Sequence, residues 1–239
     1  LERSEIVITV IGSLNMDLVT YVTRLPQTGE TIIGQDFQQM PGGKGANQAD
    51  AIAKLGVPVR MLGGVGEDAL GKALLTSLHK DGVDVSQIEN FTDCPTGIAA
   101  ITVDDVGNNC IIVTPGANYR FLAERVENSK TAIAESEFIV TQLELPMETV
   151  SYALQLAKKL GKTTILNPAP ACELDDVLLS NVDILIPNET ELELLSGKPL
   201  HSETAIPFAM AVAALTVTKK GAQSSLPYRR EVEELLNSS

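Results

Sequence analysis

Short apolar, β-branched runs alternate along this chain with stretches of helical periodicity, and few folds accommodate that order. Residues 6–11 (IVITVI), 58–62 (PVRML), 137–142 (EFIVTQ), 163–166 (TTIL) and 182–186 (VDILI) read as buried strands. Helical spacing occupies 45–55, 69–80, 121–134, 147–160, a short stretch near 173–179, and 189–196. Alternation of this kind predicts a mostly parallel sheet with helices on both faces and ligands beyond the C-terminal strand ends. Two hairpins depart from it. The first places strands at 19–22 and 30–33 about an LPQTGE turn, the second at 97–103 and 109–114 about DDVGN. They predict a small β-sheet lid drawn from about 15–40 and 97–115, outside the main layer. With 239 residues, 44% of them hydrophobic, the chain can bury a core as one α/β domain over 1–239 carrying that lid.

Composition narrows the function. A net charge of −13 argues against a broad nucleic-acid or anionic-membrane surface, though not against a local cationic pocket. The three cysteines, Cys94, Cys110 and Cys172, are odd in number and widely spaced, which disfavours a disulfide framework and a structural zinc site. Only His79 and His201 are present, so no histidine-based mechanism stands out. No run of about 18 apolar residues and no charged-then-apolar leader is seen, which predicts a soluble cytoplasmic protein.

Residues 41–48 read PGGKGANQ. Glycine at that density costs backbone entropy, so either the local shape or a close visitor requires it. The following ANQADAIAKL has helical spacing, and a glycine-rich helix start beside a lysine favours an anion or a polar ligand. Four polar clusters follow strand ends: Asn15 with Asp17, GGKGAN at 42–47, Gln142 with Glu144, and PNETE at 187–191. Each also has a structural explanation, since Asp17 suits a turn, Glu144 a solvated loop, and Asn188 a helix N-cap with Glu191 closing a capping box. Asn and Asp side chains beside glycine N–H groups suit a polyhydroxyl ligand, and Asn188 with Glu191 suits water around a hard divalent cation near phosphates. Gly43-Lys44 lacks the Ser or Thr of a P-loop, whereas GVGEDA at 64–69 satisfies a weak dinucleotide pattern that a tight turn explains equally well.

The stretch Gly42 to Ala49, followed by Gly56 and Gly66, resembles the N-terminal signature of the ribokinase (PfkB-type) carbohydrate kinases. GSLNMD at 12–17, LNPAPA at 166–171, PNETE at 187–191 and VTKKGAQSS at 217–225 extend the likeness in order along the chain. The resemblance implies a three-layer α/β sandwich with a mostly parallel central sheet and a small β lid. It implies ATP-dependent phosphorylation of the terminal hydroxymethyl of a pentose, most simply D-ribose to ribose 5-phosphate, with Mg²⁺ and a monovalent cation such as K⁺. Asn15, Asp17, Gly42, Gly43, Lys44, Asn47 and Glu144 would contact the sugar, Asn188 would lie near the ATP phosphates, and Glu191 would organise Mg²⁺ through water. Thr216, Lys219, Gly221 and Ser225 would hold the monovalent cation. The apolar lid hairpins have a free edge, and pairing across a homodimer would protect it.

One departure bears on the chemistry. Transfer to a sugar hydroxyl needs a base and donors for the transferred charge, which this family takes from a G-A-G-D helix start. No such motif follows PNETE: Asp183 is the last aspartate, and Gly221 the only glycine after Gly197. The family's nucleotide-binding T-L-G stretch is absent too. The break falls between Pro199 and Ile206, where about two crossover units of about 30 residues each are missing. Three readings follow: a sugar kinase whose base lies outside the residues shown, an inactive sugar-binding protein, or a dinucleotide enzyme using GVGEDA.

Overall fold

The computed structural model describes residues 7–197, and their fold is an α/β sandwich with two sheets. The chain divides into two compact units, one ending at Pro170 and resuming over Leu174–Ile186, the other made of Ala171–Glu173 and the residues from Pro187 on. The first unit holds both sheets. Its central sheet contains β1 (Ile8–Ile11), β4 (Val59–Gly66), β5 (Asp84–Phe91), β8 (Phe138–Thr141), β9 (Thr163–Leu166) and β10 (Ile184–Leu185), in the order β10-β9-β8-β1-β4-β5. Every pairing in it is parallel. The smaller sheet contains β2 (Asn15–Val22), β3 (Asp36–Gly42), β6 (Gly97–Asp104) and β7 (Asn109–Thr114), in the order β3-β2-β6-β7.

Helices cover both faces because successive strand residues point to opposite sides. On β1, Val10 joins a buried cluster with Ala46 and Ala49 of α1 (Lys44–Lys54) and Leu74 and Leu78 of α2 (Ala69–Lys80). Its neighbour Thr9 turns the other way and shares a hydrogen bond with Ser136, 2.6 Å away. That second side carries α3 (Ala123–Asn128), α4 (Lys130–Ala134), α5 (Met147–Lys159) and α6 (Asp176–Leu179), with Phe121, Ile133, Ile139 and Leu154 wholly buried. The helix α7 (Glu189–Ser196) belongs to the second unit. Among the described residues, no helix is long and apolar enough to cross a membrane.

Several sequence expectations are corrected. The first hairpin pairs β2 with β3, from Asn15↔Gly42 to Tyr21↔Asp36, and residues 30–33 are loop. Glu30 closes a local turn instead, bonded by Arg24 and by the Gln27 N–H, and Ile33 is 87% exposed. The two hairpins are one sheet, joined by parallel pairing of β2 with β6. Strand β5 was not foreseen; its sequence DVSQIENF is half polar because it lies at the sheet edge. The single helix expected over 121–134 is two short helices, α3 and α4, which meet at Ser129 and follow a 3-10 turn at Gly116–Arg120.

The dinucleotide pattern also reads differently. Gly64 and Gly66 lie inside β4 and not in an open turn. A Cβ on Gly64 would stand 2.6 Å from the Phe91 ring, and one on Gly66 2.5 Å from the Thr96 nitrogen, so these glycines serve close packing. The start of α2 is filled by Asp68, which accepts from the Gly71 N–H at 2.8 Å, the Thr96 N–H at 2.8 Å and the Thr96 hydroxyl at 2.7 Å. No pyrophosphate cradle is left there. Burial alone would raise the Asp68 carboxyl, but these donors hold it below its ordinary range. Asp68→Ala removes the cap and frees Thr96 at the start of β6, so the urea midpoint should fall by the equivalent of about 1–2 kcal/mol. An unchanged midpoint would show that the cap is dispensable.

Candidate functional site

The C-terminal ends of β1 and β8 are neighbours, since Ile11 pairs with Thr141. The loops leaving them therefore emerge side by side, and the start of α1 comes down onto them. Gly43 makes that approach possible, with φ at +92° and a position where a Cβ would stand 2.6 Å from the Asn15 nitrogen. The first N–H groups of α1 are not left free. Lys44 N–H donates to Glu144 Oε2 at 3.1 Å, Gly45 N–H to the Ser13 hydroxyl at 3.4 Å, and Ala46 N–H to the Ser13 carbonyl at 2.9 Å. Ser13 Oγ donates to the same Glu144 Oε2 at 2.5 Å. The anion that the glycine-rich helix start attracts is thus the protein's own Glu144 carboxylate, held at the positive end of the helix.

Only one oxygen of Glu144 is used in this way; Oε1 has no hydrogen bond among the described residues. Asp17 on β2 lies against Gly42, where a Cβ would come within 2.5 Å of its Oδ2. Burial pushes the Asp17 carboxyl above its ordinary range, and the charge of Glu144 raises it further. Two carboxylates therefore share one half-buried region, flanked by the half-buried Lys44. Asn15, 3% exposed, stands in the same place at the start of β2, opposite Gly42 on one neighbour strand and Gly97 on the other. Asn47 follows one turn along α1, exposed, and borders a depression of about 220 Å³ with Asp50, Lys54 and Ser77.

Most of the expected residues meet, with additions. Asn15, Asp17, Gly42, Gly43, Lys44 and Glu144 converge at one end of the first unit. Asn188 and Glu191 belong to the second unit, where they form a reciprocal cap of α7. Glu191 Oε2 accepts from the Asn188 N–H at 2.8 Å, Glu191 Oε1 from Asn188 Nδ2 at 2.9 Å, and Asn188 Oδ1 from the Glu191 N–H at 2.8 Å. Thr216, Lys219, Gly221 and Ser225 lie outside the described residues. Sequence reading missed Ser13 and Asn118. Ser13 sits inside the GSLNMD stretch without a local cue, and Asn118 follows the second hairpin in PGAN, which reads as ordinary turn chemistry. Gln142 donates to Gln48 Oε1 at 2.5 Å and so ties β8 to α1.

This end gathers carboxylate acceptors, an amide group and glycine-lined backbone, groups that can exchange hydrogen bonds with hydroxyls. Among the described residues, no group of three His, Cys, Asp or Glu side chains is arranged to hold a metal ion. The last aspartate, Asp183, is a structural carboxylate. It accepts from Lys158 Nζ at 2.6 Å, Thr164 N–H at 2.9 Å and Thr164 Oγ1 at 3.0 Å.

Comparison with known proteins agrees with this fold. Residues 6–206 match the model of the pfkB family carbohydrate kinases, and the chain belongs to that family. It is 34% identical to a ribokinase of Haemophilus influenzae over 299 aligned positions, covering 96% of this chain and 98% of that one. It is 38% identical to a deoxyribokinase of Salmonella typhi over 215 positions, covering 90% and 69%. The structure of Arabidopsis thaliana ribokinase complexed with ribose and ATP superimposes with a TM-score of 0.75 at 28% identity, covering 97% and 99%.

The raised Asp17 carboxyl has a consequence for stability. A carboxyl of this kind favours the fold below its unfolded pKa, near 3.8, and that contribution is lost as pH rises through the higher folded value. Asp17→Asn removes the unfavourable charge. Its thermal midpoint should exceed that of the wild type at pH 7, with the gap closing as pH falls toward 4. A variant less stable than wild type at pH 7 would show that the Asp17 charge is favourably held.

Proposed function

We propose that this chain carries the sugar site of an ATP-dependent kinase that phosphorylates the terminal hydroxymethyl of a pentose, with D-ribose as the first candidate. The supporting observation is the convergence of Asp17, Asn15 and the free oxygen of Glu144 over the Gly42–Gly43 start of α1 in a carbohydrate-kinase chain. Carboxylates at that position accept from two sugar hydroxyls at once and orient the reacting one. Relatives named for ribose and for deoxyribose lie at similar identity, so discrimination at the sugar C2 is part of the proposal to be measured.

The small sheet is proposed as a lid over the sugar. Its outer strands leave Phe37, Met40, Ile111, Ile112 and Val113 exposed, and we assign that apolar surface to pairing with a second copy of the chain. Sedimentation at micromolar concentration should give a dimer, whereas a monomer would remove the lid pairing from the proposal.

For the nucleotide, Asn188 and Glu191 are the candidates among the described residues. Glu191 is one carboxylate, with both oxygens already bonded to Asn188. That donor set fits Mg²⁺ held mainly by phosphates and water, the metal screening phosphate charge, and not an all-protein cage. A monovalent cation on Thr216, Lys219, Gly221 and Ser225, like the cytoplasmic location, remains part of the proposal.

The catalytic base is proposed to lie outside the 239 residues. The alignment with the Haemophilus influenzae ribokinase runs over 299 positions against 239 residues here, so at least 60 positions of that relative have no counterpart in this chain. We place the difference between Pro199 and Ile206. The inactive sugar-binding reading applies if that junction is continuous. Intact mass decides the covalent question, and a protein heavier than the 239 residues should phosphorylate ribose. Calorimetry decides the site: Asp17→Ala should weaken ribose binding by about 1–3 kcal/mol, and unchanged affinity would remove Asp17 from it.

A further inference from the structure

Asn118 lies 1% exposed in the 3-10 turn after β7, far in sequence from any residue expected at the sugar. Its amide accepts at Oδ1 from the Leu14 N–H at 2.9 Å and donates through Nδ2 to the Leu14 carbonyl at 3.0 Å. A backbone N–H can only donate and a carbonyl can only accept, so this pair of bonds fixes which end of the Asn118 amide is oxygen. The second hydrogen on Nδ2 is then directed at the Asn15 side chain, 2.8 Å away. The atom it meets must be an acceptor, so Asn15 is held with Oδ1 toward Asn118. Asn15 Nδ2 makes no hydrogen bond among the described residues, and it is not among their buried unpartnered atoms. Gly97 supports the same pair from above, where a Cβ would lie 2.3 Å from both Asn118 Nδ2 and Asn15 Oδ1.

We propose that Asn118 is a positioning residue that locks Asn15 as a hydrogen-bond donor toward the sugar. The inference rests on the reading that Asn15 contacts the sugar. Asp17 and the free Glu144 oxygen can only accept while ionised, so Asn15 supplies a neutral donor beside the Lys44 ammonium. A site with acceptors and a donor so divided takes a group that both donates and accepts, which is a hydroxyl, and disfavours a carbonyl, which has no hydrogen to give the carboxylates. The backbone of Leu14 thereby sets the polarity of a ligand contact through two side-chain amides. Because a flipped Asn15 would set its own N–H groups against those of Asn118 Nδ2, the lock contributes to specificity as well as to affinity.

A double-mutant cycle on ribose affinity tests this, with thermal midpoints recorded alongside. Asn118→Ala should weaken ribose binding about tenfold in the wild-type background and less than twofold in Asn15→Ala, since no amide then remains to be oriented. Equal losses in both backgrounds would overturn the positioning role. An Asn15→Ala variant that binds ribose as well as wild type would instead overturn the reading of Asn15 as a sugar contact. A second measurement needs no variant. In the free protein, the Asn118 side-chain amide should exchange slowly with solvent and that of Asn15 quickly, with Asn15 becoming protected when ribose is added. Slow exchange at Asn15 without sugar would show that its donor is already engaged and would overturn the inference. This holds even if the chain binds no ribose.

Discussion

The site depends on one interaction, the Glu144 carboxylate seated on the N-terminus of α1. Charge-assisted hydrogen bonds of this type are worth about 1.5–3 kcal/mol each, and here one oxygen takes both the Lys44 N–H and the Ser13 hydroxyl. Through them the loops after β1 and β8 and the turn from β3 into α1 are held at one point. The approach requires backbone without side chains. A Cβ on Gly45 would lie 2.7 Å from Gly12, and one on Gly12 would lie 2.1 Å from Gln142 Oε1. The glycines of the PGGKGANQ stretch thus bring the helix close enough for its first N–H groups to reach the carboxylate. A cradle for phosphate is not needed to explain them.

Next to that anchor, residues 12–15 carry the chain from the central sheet into the small one. Asn118 clamps Leu14 on both backbone groups at the crossing, and the Thr96–Asp68 bonds do the same where β5 leads into β6. These bonds pin two of the four places where the chain passes between the small sheet and the rest of the first unit. Asp17 fits this arrangement as a carboxyl whose burial beside Glu144 costs stability in the free protein. Ligand-binding groups commonly carry such a cost, because a pocket prepared for a partner is incompletely satisfied without one.

The family and the reaction have different footing. The match over residues 6–206, with the fold, makes the chain a member of the pfkB carbohydrate kinases. Phosphoryl transfer needs a group that receives the hydroxyl proton, and the one late aspartate is committed to Lys158 and Thr164 at the start of β10. The described residues thus include the proposed sugar contacts but not the aspartate that the family's helix start would supply. The kinase reading therefore needs a base from outside the 239 residues, which the proposal places between Pro199 and Ile206.

Local chemistry in the sequence determined much of this protein. Alternating apolar runs and helical spacing specified the central parallel strands, with 163–166 and 189–196 found at the expected bounds, and strand-end polar residues marked Asn15, Asp17, Glu144 and Gly42–Lys44. What sequence could not show was which loops would face each other. Edge strand β5 is too polar to read, the β2–β6 pairing joins segments about 80 residues apart, and the first hairpin returns through 36–42, with residues 30–33 in a loop where Arg24 pairs with Glu30. Ser13 and Asn118 have no sequence signature because their roles consist of long-range hydrogen bonds, to Glu144 and to Leu14 and Asn15. Only the tertiary structure decided that the helix dipole of α1 would hold a carboxylate of the protein itself, since that bond exists only where 100 residues of intervening chain return to one point.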